Sequence, residues 1–258
     1  MIPDLQVRPG APLDHLRWIG QYIVERQPDV IVQIGDWADM ESLSSYDKGK
    51  LSFEGRRYKR DIEVVEESLD VLDAPIAEYN YRRRNRYEPR YLVTLGNHED
   101  RISRAVDDQP ELAGFMDVDD LPYAEHGWEV HDYLEPVWID GVAYAHYFYR
   151  PNTGRSYSGM IETRLKNIGH SFTQGHEQTL SFGLHATAAG RRYGLVAGAC
   201  YLHDEDYKGP QGNSEWRGIV VKHEVHNGEY DPMFVSLDFL CRRYENKPLE
   251  HFMKRSTR

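Results

Sequence analysis

The sequence has few cysteines and no long apolar run. Only Cys200 and Cys241 occur in 258 residues, so we expect no disulfide framework. No apolar stretch is long enough to span a bilayer, and the N-terminus lacks the charged-then-apolar pattern of a signal peptide. Internal repeats, heptads and low-complexity tracts are also missing. We therefore expect a cytoplasmic protein without a membrane partner, folded as a single domain over residues 1–258.

Acidic residues outnumber basic residues, and the net charge is −11. This balance argues against a protein that coats duplex DNA through bulk electrostatics, although a local basic groove stays open. If the substrate is nucleic acid, we expect single-stranded or nicked forms rather than intact duplex. The sequence makes no prediction about the oligomeric state.

Apolar residues alternate between helical and strand-like patterns. The first half predicts helices over 12–27 and 62–79 and strands over 30–34 and 91–95, an order that resembles βαβ units. Residues 42–60 are polar and predict a loop or insertion. The second half predicts a hairpin over 137–145, a helix over 160–168 and strand-rich segments over 172–173, 193–201, 219–225 and 233–240. The pattern predicts an α/β fold with a largely antiparallel second half.

Polar motifs follow the two predicted strands of the first half. Gly35-Asp36-Trp37-Ala38-Asp39 follows one apolar run, and Gly96-Asn97-His98-Glu99 follows the next. In an open α/β sheet, ligands bind beyond the carboxyl ends of the strands. Because carboxylate, amide and imidazole groups converge at that edge, the two motifs indicate a metal site.

Three further pieces occur in order: Asp4-Leu5-Gln6, His146 after an apolar run, and Gly175-His176-Glu177-Gln178. Together the five pieces, which span 4–178, resemble the metallophosphoesterase (calcineurin-like phosphoesterase) superfamily, in particular its bacterial and phage members. The resemblance implies a four-layer α/β/β/α sandwich of two mixed sheets with the metal site at the strand ends.

The resemblance also implies two divalent cations bridged by Asp36. The implied ligands of the first ion are Asp36, Asn97, His146 and His176, and those of the second are Asp4, Gln6, Asp36 and Gln178. Gln6 and Gln178 stand where the family has histidine, and an amide oxygen is generally a weaker ligand than imidazole for zinc or copper. We therefore expect a weaker second site and favour Mn²⁺, with Mg²⁺, Zn²⁺ and Fe as alternatives.

The chemistry that the resemblance implies is hydrolysis of a phosphate ester by in-line attack of metal-bound hydroxide. His98 matches the family's proton donor near the leaving oxygen, and Asp39 matches the carboxylate that orients it. Asp39 could instead cap a helix. Asn97 and Arg101 are candidate substrate contacts, and a solvated surface role for Arg101 is the alternative.

The expected substrate is a phosphodiester, either nucleic acid or nucleotide. Met40 and Glu41 follow Asp39 where phosphoprotein phosphatases carry Arg-Gly, which disfavours that class. A phosphomonoesterase stays open. So does a binding module that keeps the fold without catalysis, because two of the implied ligands are glutamine.

Two further segments allow two interpretations each, and a third allows one. The basic segment 82–90, interleaved with tyrosines, fits either a nucleic-acid track or a charged helix end. The segment 203–206 is expected to be a solvated acidic loop. Either the strand that should precede Asp4 is very short, or the chain starts late.

Overall fold

The computed structural model describes residues 1–45, 48–49, 53–205 and 208–254. The helices are α1 (Asp14–Arg26), α2 (Tyr58–Asn80), α3 (Arg101–Asp108), α4 (Ile161–Ile168), the single turn α5 (Gly209–Gly212) and α6 (Leu237–Glu245). The strands are β1 (Val30–Gln33), β2 (Arg90–Thr94), β3 (Glu129–His131), β4 (Val137–Ile139), β5 (Val142–Tyr144), β6 (Phe172–Gln174), β7 (Leu180–Thr187), β8 (Gly190–Ala197), β9 (Gly218–His226) and β10 (Glu229–Ser236). The fold is mixed α/β, with parallel, mixed and antiparallel pairing. None of these described helices combines the length and apolarity needed to cross a membrane.

The first sheet has three parallel strands in the order β1-β2-β3. Ile31 and Val93 face a core cluster that includes residues of α1 and α2. Val32 and Leu92 point the opposite way, into a second cluster. Because both faces are covered, β1 and β2 carry continuous apolar runs rather than alternating ones.

Helices α1 and α2 pack closely where α1 carries a glycine. A Cβ at Gly20 would lie 2.4 Å from the carbonyl oxygen of Leu72 and 3.0 Å from Cγ of Pro75. Pro75 lies within α2, whose assignment runs through it from Tyr58 to Asn80. The small residue in α1 therefore permits the helix contact that covers the first sheet.

The second sheet has five strands in the order β4-β5-β6-β8-β7. Its central strands β5, β6 and β8 are parallel, whereas β4 and β7 are antiparallel edges. The expected hairpin through Asp140 and Gly141 is confirmed, since β4 pairs with β5. Helix α4 packs Ile161 and Leu165 against one face of this sheet. The other face contributes Val142 to the cluster that also holds residues of β1 and β2.

The N-terminal segment joins the two sheets. Ile2 forms a parallel bridge with Gln33 at the end of β1, and Asp4 forms one with Ala199, just after β8. The backbone N–H groups of Leu5 and Gln6 donate to the carbonyl oxygen of Asp36 over 3.0 and 2.8 Å. An isolated bridge at Ile2 thus precedes Asp4, which agrees with the very short strand given as one of the two alternatives.

Two boundaries differ from the sequence expectations. The segment 233–240 was expected to be strand-rich, but the chain turns into α6 at Leu237, where the Ser236 side chain accepts from the N–H of Phe239. This N-cap gives the apolar segment a helical start. Helix α2 begins at Tyr58, inside the expected 42–60 loop, of which 46–47 and 50–52 lie outside the described residues.

Candidate metal centre

Four of the implied ligands follow four parallel strands. Asp36 follows β1 and Asn97 follows β2 in the first sheet, while His146 follows β5 and His176 follows β6 in the second. Parallel strands end at the same edge of a sheet, and so each pair of loops lies side by side. The predicted convergence within each sheet is present, and the two edges meet at the side chain of Asn97.

Three pairs of donor atoms from these residues lie within about hydrogen-bond distance. Asn97 Oδ1 is 2.7 Å from His176 Nδ1 and 3.1 Å from His146 Nε2. Asp36 Oδ2 is 3.3 Å from His146 Nε2. Within the described residues, Asp36, His146 and His176 form one acid–histidine group whose donor atoms all lie within 4.8 Å.

A backbone carbonyl orients the ring of His146. Its Nδ1 lies 2.9 Å from the carbonyl oxygen of Ile34, which directs Nε2 toward Asp36 and Asn97. Metal-binding histidines commonly use their second nitrogen in this way. The buried ring is therefore held in the orientation that a ligand needs.

Charge is concentrated at Asp36. Burial alone would raise the pKa of Asp36, but His146 and His98 hold it well below its usual range. Burial alone would lower the pKa of His146, but the Asp36 charge and hydrogen bond raise it to about 9. A buried carboxylate thus stays anionic because cationic groups surround it, which is also what a divalent ion would provide.

Four predicted ligands have a left-handed backbone. The φ angles are 42° at Gln6, 53° at Asp36, 69° at His176 and 58° at Gln178. Such conformations cost a non-glycine residue roughly 1–3 kcal/mol each and cluster at functional sites. The surrounding structure therefore stabilises strained loops that aim these side chains.

The glycine that opens each motif leaves room for a site residue. A Cβ at Gly96 would lie 2.2 Å from Asp36 Oδ1, and one at Gly175 would lie 2.3 Å from Asp4 Oδ1. A Cβ at Gly35 would lie 2.6 Å from His146 Nδ1. The three glycines are therefore needed for close approach of the loops.

The residues expected to bind the second ion are buried but differently engaged. Asp4 accepts the backbone N–H of His176 over 3.1 Å, and burial raises the pKa of its carboxyl to about 7. Gln6 Oε1 is buried and has no hydrogen-bond partner among the described residues. Gln178 Oε1 instead accepts hydrogen bonds from Tyr201 and Lys208. Metal ligation by Gln178 stays a prediction.

His98 pairs with Asp39 beside this cluster. Its Nδ1 is 2.9 Å from Asp39 Oδ1, and its backbone N–H donates to Asp36 Oδ1 over 3.0 Å. Burial alone would lower the pKa of His98, but the carboxylates of Asp36 and Asp39 raise it. Arg101 lies on the same pair: it donates to the Asp39 carbonyl over 2.7 Å, and its guanidinium lies 3.2 Å from His98 Nε2. The solvated alternative for Arg101 is therefore wrong.

Glu99 is a site residue that the sequence reasoning missed, because it was assigned only to the start of a helix. Its buried carboxylate accepts backbone N–H groups from Gly96, Asp36 and Ala38 over 2.8, 3.1 and 2.8 Å. The hydroxyl of Tyr123 donates to it over 3.2 Å. Glu99 therefore joins the two strand-end loops of the first sheet. Its position directly after a motif at a strand end was the available signal.

The segment 203–206 is not a solvated acidic loop over its described part, 203–205. His203 and Glu205 are buried, and His203 Nε2 lies 2.8 Å from Glu205 Oε1. Arg8 bridges Glu205 to Asp39, with N–O distances of 3.3 Å to each carboxylate. Arg8 therefore links Glu205 to Asp39, the residue that pairs with His98. The sequence spacing did not reveal this contact.

A cavity of about 560 Å³ opens beside Asn97 and His176. Its lining includes Arg101 and Arg104 and the tyrosines Tyr133 and Tyr147. The basic segment 82–90 lies elsewhere, because Arg90 begins β2 whereas the site follows its other end, roughly 16 Å along the strand.

Arg90 pairs with Glu129 over 2.7 Å, and Arg83 lies over the ring of Tyr79. Neither contact leads to the candidate site, and helix α2 has no basic residue in its last turn.

The donor set fits a divalent cation. It combines imidazole nitrogen, carboxylate oxygen and amide oxygen, and the buried Gln6 Oε1 lacks a protein partner in the described chain. The amino-acid sequence matches no protein-family model and no curated protein.

Proposed function

We propose that this protein is a metal-dependent phosphoesterase that hydrolyses a phosphodiester. The observation that carries the proposal is the meeting of Asp36, Asn97, His146 and His176 from four strand ends, beside the His98–Asp39 pair. A binding module would need the cation cage but not a carboxylate-oriented histidine next to it.

The proposed architecture is the four-layer α/β/β/α sandwich. Three side-chain clusters support it. One contains residues of α1, α2 and the first sheet, one contains residues of both sheets, and one contains residues of the second sheet and α4. The proposal includes the likeness of this layer arrangement to that of calcineurin-like proteins.

Asp36, Asn97, His146 and His176 would hold the first cation. Asp4 lies against the His176 loop of the second sheet, and Gln6 lies against the Asp36 loop of the first. When bound, divalent cations at such a site stabilise the charge on the phosphoryl oxygens and lower the pKa of coordinated water. Mn²⁺ is the proposed metal, because oxygen donors accompany the two imidazoles.

His98 is the proposed proton donor. Asp39 binds Nδ1, which leaves Nε2 as the atom that faces Arg101 and Asp36. The carboxylates of Asp36 and Asp39 raise the pKa of His98, which favours the protonated ring. His98 would donate this proton from Nε2 to the leaving oxygen, and Asp39 would stabilise the charged ring before that transfer.

The cavity supports an anionic substrate that carries an unsaturated or aromatic substituent. Arg101 and Arg104 provide positive charge, while Tyr147 lies with its ring centroid 4.8 Å from that of His176. A phosphodiester places one substituent near His98 and leaves the other for this cavity. A nucleotide or the end of a single strand satisfies that requirement.

The test is hydrolysis of bis-p-nitrophenyl phosphate with and without Mn²⁺, compared with p-nitrophenyl phosphate. The diester is expected to be hydrolysed faster, and chelation is expected to abolish the activity. His98→Ala is expected to lower kcat by about 10²–10⁴-fold while Mn²⁺ binding persists. His223→Ala is the matched control, because His223 is an exposed histidine of β9.

Two results would reject the proposal. Absence of hydrolysis with any divalent ion would favour the binding module, and unchanged turnover in His98→Ala would remove the assigned proton donor. Preference for the monoester would reject the diester assignment alone.

A further inference from the structure

A lysine ammonium lies at one of the predicted ligands of the second ion. Lys208 Nζ donates to Gln178 Oε1 and, over 3.1 Å, to the hydroxyl of Tyr201. The same hydroxyl donates to Gln178 Oε1 over 2.9 Å. An amide oxygen has two lone pairs, and both are thus engaged.

The remaining donors form a weak set for a divalent ion. With Gln178 engaged, Asp4 and the neutral amide of Gln6 are left besides the shared Asp36. Burial lowers the pKa of Lys208, but the negative charges of Glu205 and Asp4 favour its charged form. The Lys208 ammonium, which Glu205 and Asp4 attract, would therefore repel a second cation.

We propose that this centre holds one divalent ion, at Asp36, Asn97, His146 and His176, and that the Lys208 ammonium supplies the charge that a second ion would bring. This inference rests on the proposed function. It gives Gln178 a physical reason, because an amide oxygen accepts a hydrogen bond from an ammonium without needing a metal.

The experiment counts bound Mn²⁺ by equilibrium titration and by the electron paramagnetic resonance of the bound ion. The wild type is expected to bind one equivalent tightly, with the spectrum of an isolated ion. Lys208→Met removes the charge and frees one lone pair of Gln178 Oε1, so a second ion is expected to bind at least about tenfold more tightly and to give an exchange-coupled pair. Lys208→Arg should behave as the wild type. Lys59→Met, at an exposed lysine, is the charge-matched control.

Two equivalents of similar affinity in the wild type, with coupled spectra, would overturn the inference while leaving the proposed function intact. Lys208→Met with native circular dichroism that still binds one ion would also overturn it. A wild type that binds no Mn²⁺ would overturn the proposed function and this inference together.

Discussion

Replacing Glu99 by alanine removes the acceptor shared by the two strand-end loops of the first sheet. The carboxylate accepts three backbone N–H groups, those of Gly96, Asp36 and Ala38. Each buried donor left without a partner costs about 1–3 kcal/mol. The free energy of unfolding is therefore expected to fall by at least about 3 kcal/mol, a large share of the 5–15 kcal/mol typical of a domain.

The glutamine variant separates charge from hydrogen bonding. Glu99→Gln keeps the size of the side chain but turns an NH₂ group toward at least one N–H donor. Its expected loss is smaller, about 1–3 kcal/mol. Because Glu99 also binds the strained backbone of Asp36, both variants should bind Mn²⁺ more weakly than the wild type.

Urea unfolding followed by circular dichroism measures these losses. Glu125→Ala is the matched control, because Glu125 is exposed and close in sequence. A loss in Glu99→Ala within about 1 kcal/mol of that control would refute the reasoning, since three unpaired buried donors together cost at least about 3 kcal/mol.

Two further predictions concern a glycine and a histidine. Gly96→Ala places a Cβ 2.2 Å from Asp36 Oδ1 and should weaken Mn²⁺ binding at least about tenfold in a titration, whereas Gly114→Ala, with no atom within 4 Å of the added Cβ, should not. Burial alone would lower the pKa of His126, but the hydrogen bond and charge of Asp73, 2.9 Å away, raise it. Its stabilisation is therefore complete below the ordinary pKa of about 6.5 and lost as the pH rises through the folded value. His126→Gln should flatten this part of the pH–stability curve in urea unfolding, and an unchanged slope would reject the assignment.

Local patterns in the sequence predict much of the fold. The apolar runs before Gly35 and Gly96 predict β1 and β2, and the Asp140-Gly141 turn predicts the β4–β5 hairpin, because these signals are local. The helix that begins at Leu237 was missed because its apolar residues also suit a strand. Only the cap at Ser236 distinguishes the two.

The candidate site divides in the same way. Residues inside motifs, such as Asp36 and His176, are placed where the strand ends predict. Arg8 and Lys208 lie outside every motif, and their contacts with Asp39 and Gln178 depend on long-range packing. Sequence spacing carries no information on such contacts. Glu99 is intermediate, since it adjoins a motif but acts through backbone groups of another loop.

The most direct measurement is a crystal structure of the protein soaked in Mn²⁺, with anomalous diffraction locating the metal. An anomalous peak within coordination distance of Asp36 Oδ2 and His146 Nε2, with Asn97 and His176 completing the contacts, is the predicted result. A peak elsewhere, or its absence at saturating Mn²⁺, would contradict the assignment of these strand ends as a cation-binding centre.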